Sequence, residues 1–280
     1  MRHRPLSEAA GRAIAHTAVL AYAAAVIVPF IFLFLSSVRS NQEIFSQPLG
    51  IPTEWRFENY SRAFGEANLG DSLLVSAFVT VLSVAITLAL ALPAAYAIAR
   101  VGEGRIAGAV EAVFASGLLI PSFAVLVPTF FLAVQLKMLN QPLFVALFYP
   151  ATGLPITVLL LVQFMRGIPR AVDEAAMIDG ATRATILWRL IIPMSIPGIV
   201  TVTIFNVINF WNEYIFALVL LGGGSQITAQ VALPRLQGER LVDYGLVAAG
   251  AVIVMLPVLL CYAVLQKQTQ QALTAGAVKE

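Results

Sequence analysis

Charged side chains are scarce in this sequence. Asp, Glu, Lys and Arg together make up 11% of the 280 residues, whereas hydrophobic residues make up 59%. Soluble domains carry roughly 25% charged residues, so the composition excludes an ordinary soluble protein and predicts an integral membrane protein. The net charge is only +2 and the basic residues are scattered, which gives no basis for a nucleic-acid partner.

Residues with reactive side chains are also few. The one cysteine, Cys261, cannot form an internal disulfide and lies in an apolar run, where it is expected to act as a small hydrophobic side chain. His3 and His16 have no partner at metal-ligand spacing and cannot complete a nucleophilic triad. No GxxxxGK[ST] phosphate-binding loop occurs. We therefore expect no catalytic residue, no metal site and no ATP hydrolysis by this chain.

Six apolar windows are long enough to cross a bilayer, which takes about 20 residues of helix. They predict an all-α integral membrane protein with a single domain over residues 1–280 and six transmembrane helices. The windows are approximately 14–38, 72–99, 106–136, 143–164, 198–221 and 245–265. In the third window, Pro121 and Pro128 are seven residues apart, so they would share one face of one kinked helix. Glu111 is close enough in sequence to pair with Arg105.

The positions of the basic residues predict the orientation. If both ends are cytoplasmic, eleven of the 17 Lys and Arg residues lie on the cytoplasmic side and six on the outside. The positive-inside tendency favours this arrangement. Residues 39–71, 137–142 and 222–244 would then be external loops, and 165–197 would be the one long internal loop.

That internal segment reads as a helix, a turn and a second helix. Asp173 can cap the first helix, with Glu174 favourably placed in its first turn. Ala175 and Ala176 present a nearly bare surface, and Gly180 supplies the turn. A second short helix is predicted over 181–190. Such a hairpin suits insertion into a groove of another protein, but an amphipathic hairpin on the lipid headgroups fits the composition as well.

The same segment resembles the EAA loop of permease subunits in binding-protein-dependent importers of the ATP-binding-cassette (ABC) superfamily. That pattern is Glu-Ala-Ala, three residues, Gly, nine residues, Ile, one residue, Leu-Pro. Here Glu174-Ala175-Ala176 is followed at the same spacing by Gly180 and by Leu190-Ile191-Ile192-Pro193. Residues 120–136, 163–181, 210–221 and 273–280 are further similar to the smaller permease of carbohydrate importers, the type found in the maltose system.

The resemblance implies a function and a set of partners. The loop would be a coupling helix that docks on a cytoplasmic ATPase dimer, through Glu174, Ala175, Ala176, Asp179, Gly180 and Arg183. The C-terminal residues Gly276, Ala277, Val278 and Lys279 would reach the same ATPase. ATP and Mg²⁺ would be bound by that partner and no cofactor by this chain. A second permease, an external solute-binding protein, the carbohydrate and membrane lipid complete the expected partners, and the location would be the bacterial cytoplasmic membrane.

Polar side chains in the fifth window are candidates for the solute pathway. Asn206, Asn209 and Glu213 recur at helical spacing, and a carboxylate at membrane depth must face protein or water. Asn212, Trp211 and Tyr214 are neighbouring candidates. These side chains could bind sugar hydroxyls, or they could hold helices together. A permease for a polyol, glycerol phosphate or polyamine is an alternative, and a non-transporting scaffold or enzyme is a more remote one.

Overall fold

Long apolar helices form the framework of the computed structural model, which describes residues 6–101, 104–238 and 242–277. Four helical stretches within these ranges are long and apolar enough to cross a membrane: Gly11–Ser37, Leu69–Arg100, Pro142–Arg166 and Tyr244–Val264. Two bent pairs, Arg105–Gly117 with Ser122–Gln135 and Arg183–Met194 with Ile196–Asn212, raise the number to six if each pair is one span. By length and composition, the described residues contain four to six candidate spans.

The described residues form fourteen α-helices and no strand. In chain order the helices are α1 Leu6–Ser37, α2 Asn41–Ser46, α3 Glu58–Glu66, α4 Leu69–Tyr96, α5 Arg105–Gly117, α6 Leu126–Gln135, α7 Pro142–Arg166, α8 Ala171–Ile178, α9 Arg183–Ile186, α10 Ile192–Met194, α11 Ile196–Asn212, α12 Ile215–Leu221, α13 Ala229–Ala232 and α14 Tyr244–Ala277. π-helical turns follow α4, at Ala97–Val101, and α9, at Leu187–Ile191; 3₁₀ turns lie at Ser122–Val125 and Leu233–Gln237.

Contacts divide the chain into two units, and the first comprises Met1–Leu69 with Leu233–Val254. Polar contacts hold the connections of this unit in place. The buried guanidinium of Arg39 donates to the backbone carbonyls of Gln47 and Pro48, at 3.0 and 3.2 Å. Arg62 pairs with Asp243 at 3.0 Å, which ties α3 to the residue before α14. The segment between α1 and α4 is therefore an ordered part of its unit.

The second unit, Gly70–Ala232 with Met255–Glu280, contains a continuous apolar core. Small side chains such as Ala91, Ala95 and Ala99 line one side of α4 and its π-helical turn, where they let a neighbouring helix approach closely. Val158, Leu161, Val162 and Met165 of α7 belong to the same core. The hydroxyl of Ser83 also donates to the carbonyl of Ala146, joining α4 to α7 at 3.1 Å.

The third predicted span is not one helix. Its two halves meet at an angle of 88°, and Pro121 lies in the break with an extended backbone. Proline has no N–H to continue a helix and disfavours helical geometry in the residue before it. Pro128 lies in the first turn of α6, where a missing N–H is tolerated. The expectation that both prolines share one helical face is therefore wrong.

The fifth predicted span is also interrupted. Helix α11 begins at Ile196 and ends at Asn212, Glu213 has an extended backbone, and α12 begins at Ile215. Glu213 is thus outside the helix that carries Asn206 and Asn209, contrary to the expectation of one continuous helix. Neither glycine nor proline marks this break in the sequence.

The expected pairing of Glu111 with Arg105 is wrong as well. Both carboxylate oxygens of Glu111 accept from Arg166, at 3.0 and 2.7 Å, in a two-pronged contact between α5 and α7. A planar guanidinium matches a carboxylate in this geometry. Packing of α5 against α7 brings the two residues together across 55 positions of sequence.

Candidate functional site

The polar segment between α7 and α11 forms the expected hairpin. Helix α8 ends at Ile178, and Gly180 has a φ of +81°, the left-handed conformation that favours glycine. Thr182 caps α9 by accepting a hydrogen bond from the backbone N–H of Thr185 at 3.2 Å. The predicted start of the second helix, at residue 181, is two residues too early. The helix begins at Arg183, directly after the capping threonine.

One face of the hairpin is part of the core of the second unit. Ala176 of α8, Ile186 of α9, and Leu187 and Ile191 of the following turn are buried in the cluster that contains Tyr96 and the apolar side chains of α7. A displacement of the hairpin must therefore move the ends of α4 and α7 or break this packing.

A buried ion pair adds to that link. Asp173 lies inside α8 and does not cap it, since Arg170 occupies the cap position. Its carboxylate is 3.3 Å from the Nε of Arg100, and the two side chains are 12% and 5% exposed. Arg100 also donates to the carbonyl of Ile168 at 2.6 Å. One arginine at the end of the second apolar stretch thus contacts both the carboxylate of α8 and the backbone that leads into it.

The other face of the hairpin is exposed. Of the six residues proposed for docking, five are exposed in the structure: Glu174, Ala175, Asp179, Gly180 and Arg183. Ala176 is 9% exposed and belongs to the core. The most exposed large apolar side chain near the turn is Ile178, at 86%, followed by Met177 at 51%. No pattern in the sequence indicated the exposure of these two side chains, because apolar residues are usually buried.

Two of the four C-terminal candidate residues lie in the described part of the chain. Helix α14 runs through Gly276 and Ala277. Val278 and Lys279 lie outside the described residues. Their expected contact with an ATPase remains a prediction.

A second candidate site is a cavity of about 440 Å³ between α7 and α11. Its size falls in the range of small-molecule sites, and its lining is mostly apolar with a few polar groups, which is typical of such sites. Three sequence candidates line it, namely Asn206, Asn209 and Glu213. The other lining residues are Leu118, Ser122, Phe148, Tyr149, Thr152, Gly153, Ile156, Phe205, Phe210 and Phe216.

Asn206 is wholly buried in the wall of this cavity. Its amide nitrogen donates to the hydroxyl of Thr157 and to the carbonyl of Val202, both at 2.8 Å. Its amide oxygen has no partner among the described residues. A Cβ on Gly153 would lie 2.6 Å from that oxygen, so glycine is needed there for α7 to approach α11.

Glu213 is held by three donors at the break between α11 and α12. One carboxylate oxygen accepts from the backbone N–H of Phe216, at 2.9 Å. The other accepts from the N–H of Ala217 at 2.9 Å and from the hydroxyl of Tyr149 at 2.7 Å. The carboxylate thereby satisfies the free N–H groups at the start of α12 and lies at the positive end of that helix.

Three sequence candidates lie outside the cavity. Asn212 donates to the carbonyl of Ile208 within α11 at 2.9 Å and accepts from Gln230 of α13 at 3.2 Å, a contact that joins the two helices. Trp211 is buried and Tyr214 is exposed, but neither lines the cavity. Tyr149 and Gly153 were not predicted to line the cavity. Tyr149 precedes its partner Glu213 by 64 positions, and no polar face of α7 singles out either residue.

Most of the chain matches a known protein family. Residues 90–274 match the family model described as "binding-protein-dependent transport system inner membrane component". The chain belongs to this family. It is therefore a permease subunit of a binding-protein-dependent ABC importer, a multi-pass protein of the inner membrane.

Two similar proteins agree with this assignment, and one solved structure shares the fold. The permease subunit is 33% identical to the diacetylchitobiose uptake system permease protein of Streptomyces coelicolor, over 95% of this chain and 89% of the relative. It is 31% identical to the sulfoquinovosyl glycerol transport system permease protein of Agrobacterium fabrum, over 90% of this chain and 89% of the relative. Its fold matches a chain of a bacterial ABC transporter that imports the acidic polysaccharide alginate, with a TM-score of 0.79, 24% identity, and coverage of 95% and 99% of the two chains.

Proposed function

We propose that this permease subunit translocates a carbohydrate through the cavity between α7 and α11. The observation that carries the proposal is the combination of aromatic walls with the polar groups of Asn206, Asn209 and Glu213 in one cavity of about 440 Å³. Aromatic and apolar walls suit the C–H faces of a sugar ring, and amide and carboxylate groups suit its hydroxyls. The similar permeases named for diacetylchitobiose and sulfoquinovosyl glycerol support the same class of solute.

The hairpin from α8 to α10 couples this subunit to a partner ATPase. Its exposed turn offers Met177 and Ile178 to a groove, with Glu174, Ala175 and Asp179 beside them. Its buried face shares a core with α4 and α7, so a force on the turn is transmitted to membrane-spanning helices. ATP and Mg²⁺ bind to the ATPase, and their cycle drives alternating access of the cavity to the two sides of the membrane.

The proposed arrangement in the membrane has six spans, of which the third consists of α5 and α6 and the fifth of α11 and α12. Both termini and the hairpin lie in the cytoplasm, because this orientation places most of the basic residues on the inner side. A companion permease completes the pathway. An external solute-binding protein delivers the carbohydrate to the loops at 39–71 and 222–244, and the C-terminal residues extend towards the ATPase dimer.

Single-cysteine labelling tests the orientation. In a Cys261→Ala background, Ile178→Cys should be unreactive towards a membrane-impermeant thiol reagent added to intact cells and should react once the membrane is opened. Thr53→Cys, an exposed residue of the first loop, is the matched control and should react in intact cells. Labelling of Ile178→Cys in intact cells would place the hairpin on the external side of the membrane and refute the proposal.

Replacement of the exposed apolar residue of the turn tests coupling. Ile178→Glu should reduce co-purification of the ATPase with the permease by at least about tenfold, since burying an unpaired carboxylate in an interface costs more than 1.4 kcal/mol. Ile51→Glu is the control, because Ile51 is 79% exposed on the loop predicted to be external. Retention of the ATPase in both variants would show that this turn is not the docking surface.

A further inference from the structure

A small cavity lies on the hairpin, between the end of α4 and the helices α8 and α9. Its volume is about 190 Å³, below the roughly 300–1,000 Å³ of typical small-molecule sites. This size suits one side chain or one small ion. The lining residues are Tyr96, Arg100, Arg170, Asp173, Glu174, Met177, Arg183 and Ile186.

Arginine side chains give the cavity a positive charge. Three of the lining residues are arginines and two are acids, so the formal charge of the lining is +1. Arg100 is paired with Asp173 at 3.3 Å, and the charges of these two residues largely cancel. The remaining charged groups are two exposed arginines, Arg170 and Arg183, and one exposed acid, Glu174. The lining therefore favours an anionic group.

Buried side chains form the rest of the lining. Tyr96 and Ile186 are 7% and 1% exposed and belong to the apolar core of the second unit. The paired side chains of Arg100 and Asp173 are buried as well. An anionic group in the cavity would thus be partly removed from water, which strengthens its attraction to the arginines.

The cavity adjoins the exposed apolar turn of the hairpin. Met177 lines the cavity and is 51% exposed, and its neighbour Ile178 is 86% exposed. A partner that covers the turn therefore also meets the edge of the cavity. The complementary surface has an apolar groove with an acidic side chain beside it.

We propose that this cavity receives one acidic side chain of the partner ATPase, held by Arg170 and Arg183. The proposal rests on the docking function proposed above and adds an electrostatic contact to the apolar one. A guanidinium group can bind both oxygens of a carboxylate, which fixes orientation as well as affinity. The contact would thereby set the position of the hairpin on the ATPase.

Charge reversal in the complete importer tests this contact. Arg183→Glu should weaken co-purification of the ATPase by at least about tenfold, because a like charge replaces one partner of an ion pair that is partly removed from water. Arg189→Glu is the matched control, since Arg189 is an exposed arginine of the same hairpin outside the cavity lining, and this variant should retain the ATPase. If Arg183→Glu lowers the unfolding temperature of the permease, the milder variant Arg183→Gln takes its place, with the same direction of effect expected.

A charge swap identifies the partner group. Each exposed Asp or Glu of the ATPase is changed singly to Arg and combined with Arg183→Glu. We expect one of these changes to restore retention of the ATPase, and the same change to weaken retention by the unmodified permease. Failure of every swap would overturn the inference. If inorganic phosphate also raised the unfolding temperature of the unmodified complex but not that of Arg183→Gln, the cavity would belong to a free anion instead.

Failure of this inference differs from failure of the proposed docking. Release of the ATPase by Ile178→Glu but not by Arg183→Glu would show that the turn docks without the cavity, which overturns only the inference. Retention of the ATPase by both variants would overturn docking through the hairpin itself.

Discussion

Removal of either charge of the Arg100–Asp173 pair should destabilise the permease more than removal of both. The two side chains are 5% and 12% exposed and 3.3 Å apart. A buried charge that loses its partner costs about 3–5 kcal/mol, whereas replacement of both charges by apolar groups of similar size is often neutral. Arg100→Met and Asp173→Leu should each lower stability, and the double variant should recover most of the loss.

Thermal unfolding of the purified permease complex, in one detergent and at one protein concentration, measures this order. The expected coupling between the two substitutions is about 3 kcal/mol, well above the few tenths that independent sites show. Additive losses would refute the reasoning, because they would mean that the two charges do not interact.

The same variants separate stability from coupling. If the pair transmits motion between α8 and the end of α4, the double variant should be stable and should bind the ATPase, yet uptake per ATP hydrolysed should fall. The double variant also lacks the hydrogen bond that Arg100 donates to the carbonyl of Ile168 in the unmodified protein, at 2.6 Å. Unchanged uptake per ATP in the stable double variant would show that apolar packing alone transmits the movement.

Three further predictions concern single positions. Gly180→Ala should cost about 1–2 kcal/mol of stability through its φ of +81° alone, because a Cβ there meets no neighbour; Gly65→Ala, in an open helical position, should cost nothing in the same thermal assay. Gly153→Ala should cost about 1–3 kcal/mol, since its Cβ would lie 2.6 Å from Asn206, and an unchanged unfolding temperature would contradict the close approach of α7 and α11. The Thr53 hydroxyl and N–H donate to Glu43 and hold the pKa of that carboxyl below its ordinary value. The resulting stabilisation is complete above the unfolded-state pKa and is lost as the pH falls through the lower folded-state pKa. Hydrogen exchange at the Thr53 amide should therefore be slower in the unmodified protein than in Glu43→Gln at pH 7. In acid the two exchange rates should be equal.

Sequence patterns located the continuous spans well, since apolar length is a local property. The predicted window 143–164 corresponds to the helical stretch Pro142–Arg166, and the window 72–99 corresponds to Leu69–Arg100. The break at Pro121 had a local signal in the proline itself. The break at Glu213 had no local signal. The carboxylate that caps α12 also accepts a hydrogen bond from the hydroxyl of Tyr149, which lies on another helix.

The two candidate sites differ in how far the sequence could predict them. A gapped motif located the hairpin and its glycine turn, but only packing shows that Ala176 is buried and Ile178 exposed. The spacing of Asn206, Asn209 and Glu213 indicated a polar wall. Asn212 matched them in composition, yet its direction on α11 places it against Gln230 instead.

The amino-acid sequence by itself determined that this chain is a membrane protein, that it is helical, and that a polar hairpin interrupts its apolar spans, because apolar length and residue spacing act within one segment. The tertiary structure alone decided which polar groups share a cavity and which charges pair, as Arg100 with Asp173 and Arg166 with Glu111. Such pairings arise where separate helices pack, and no local pattern specifies which side chains will meet there.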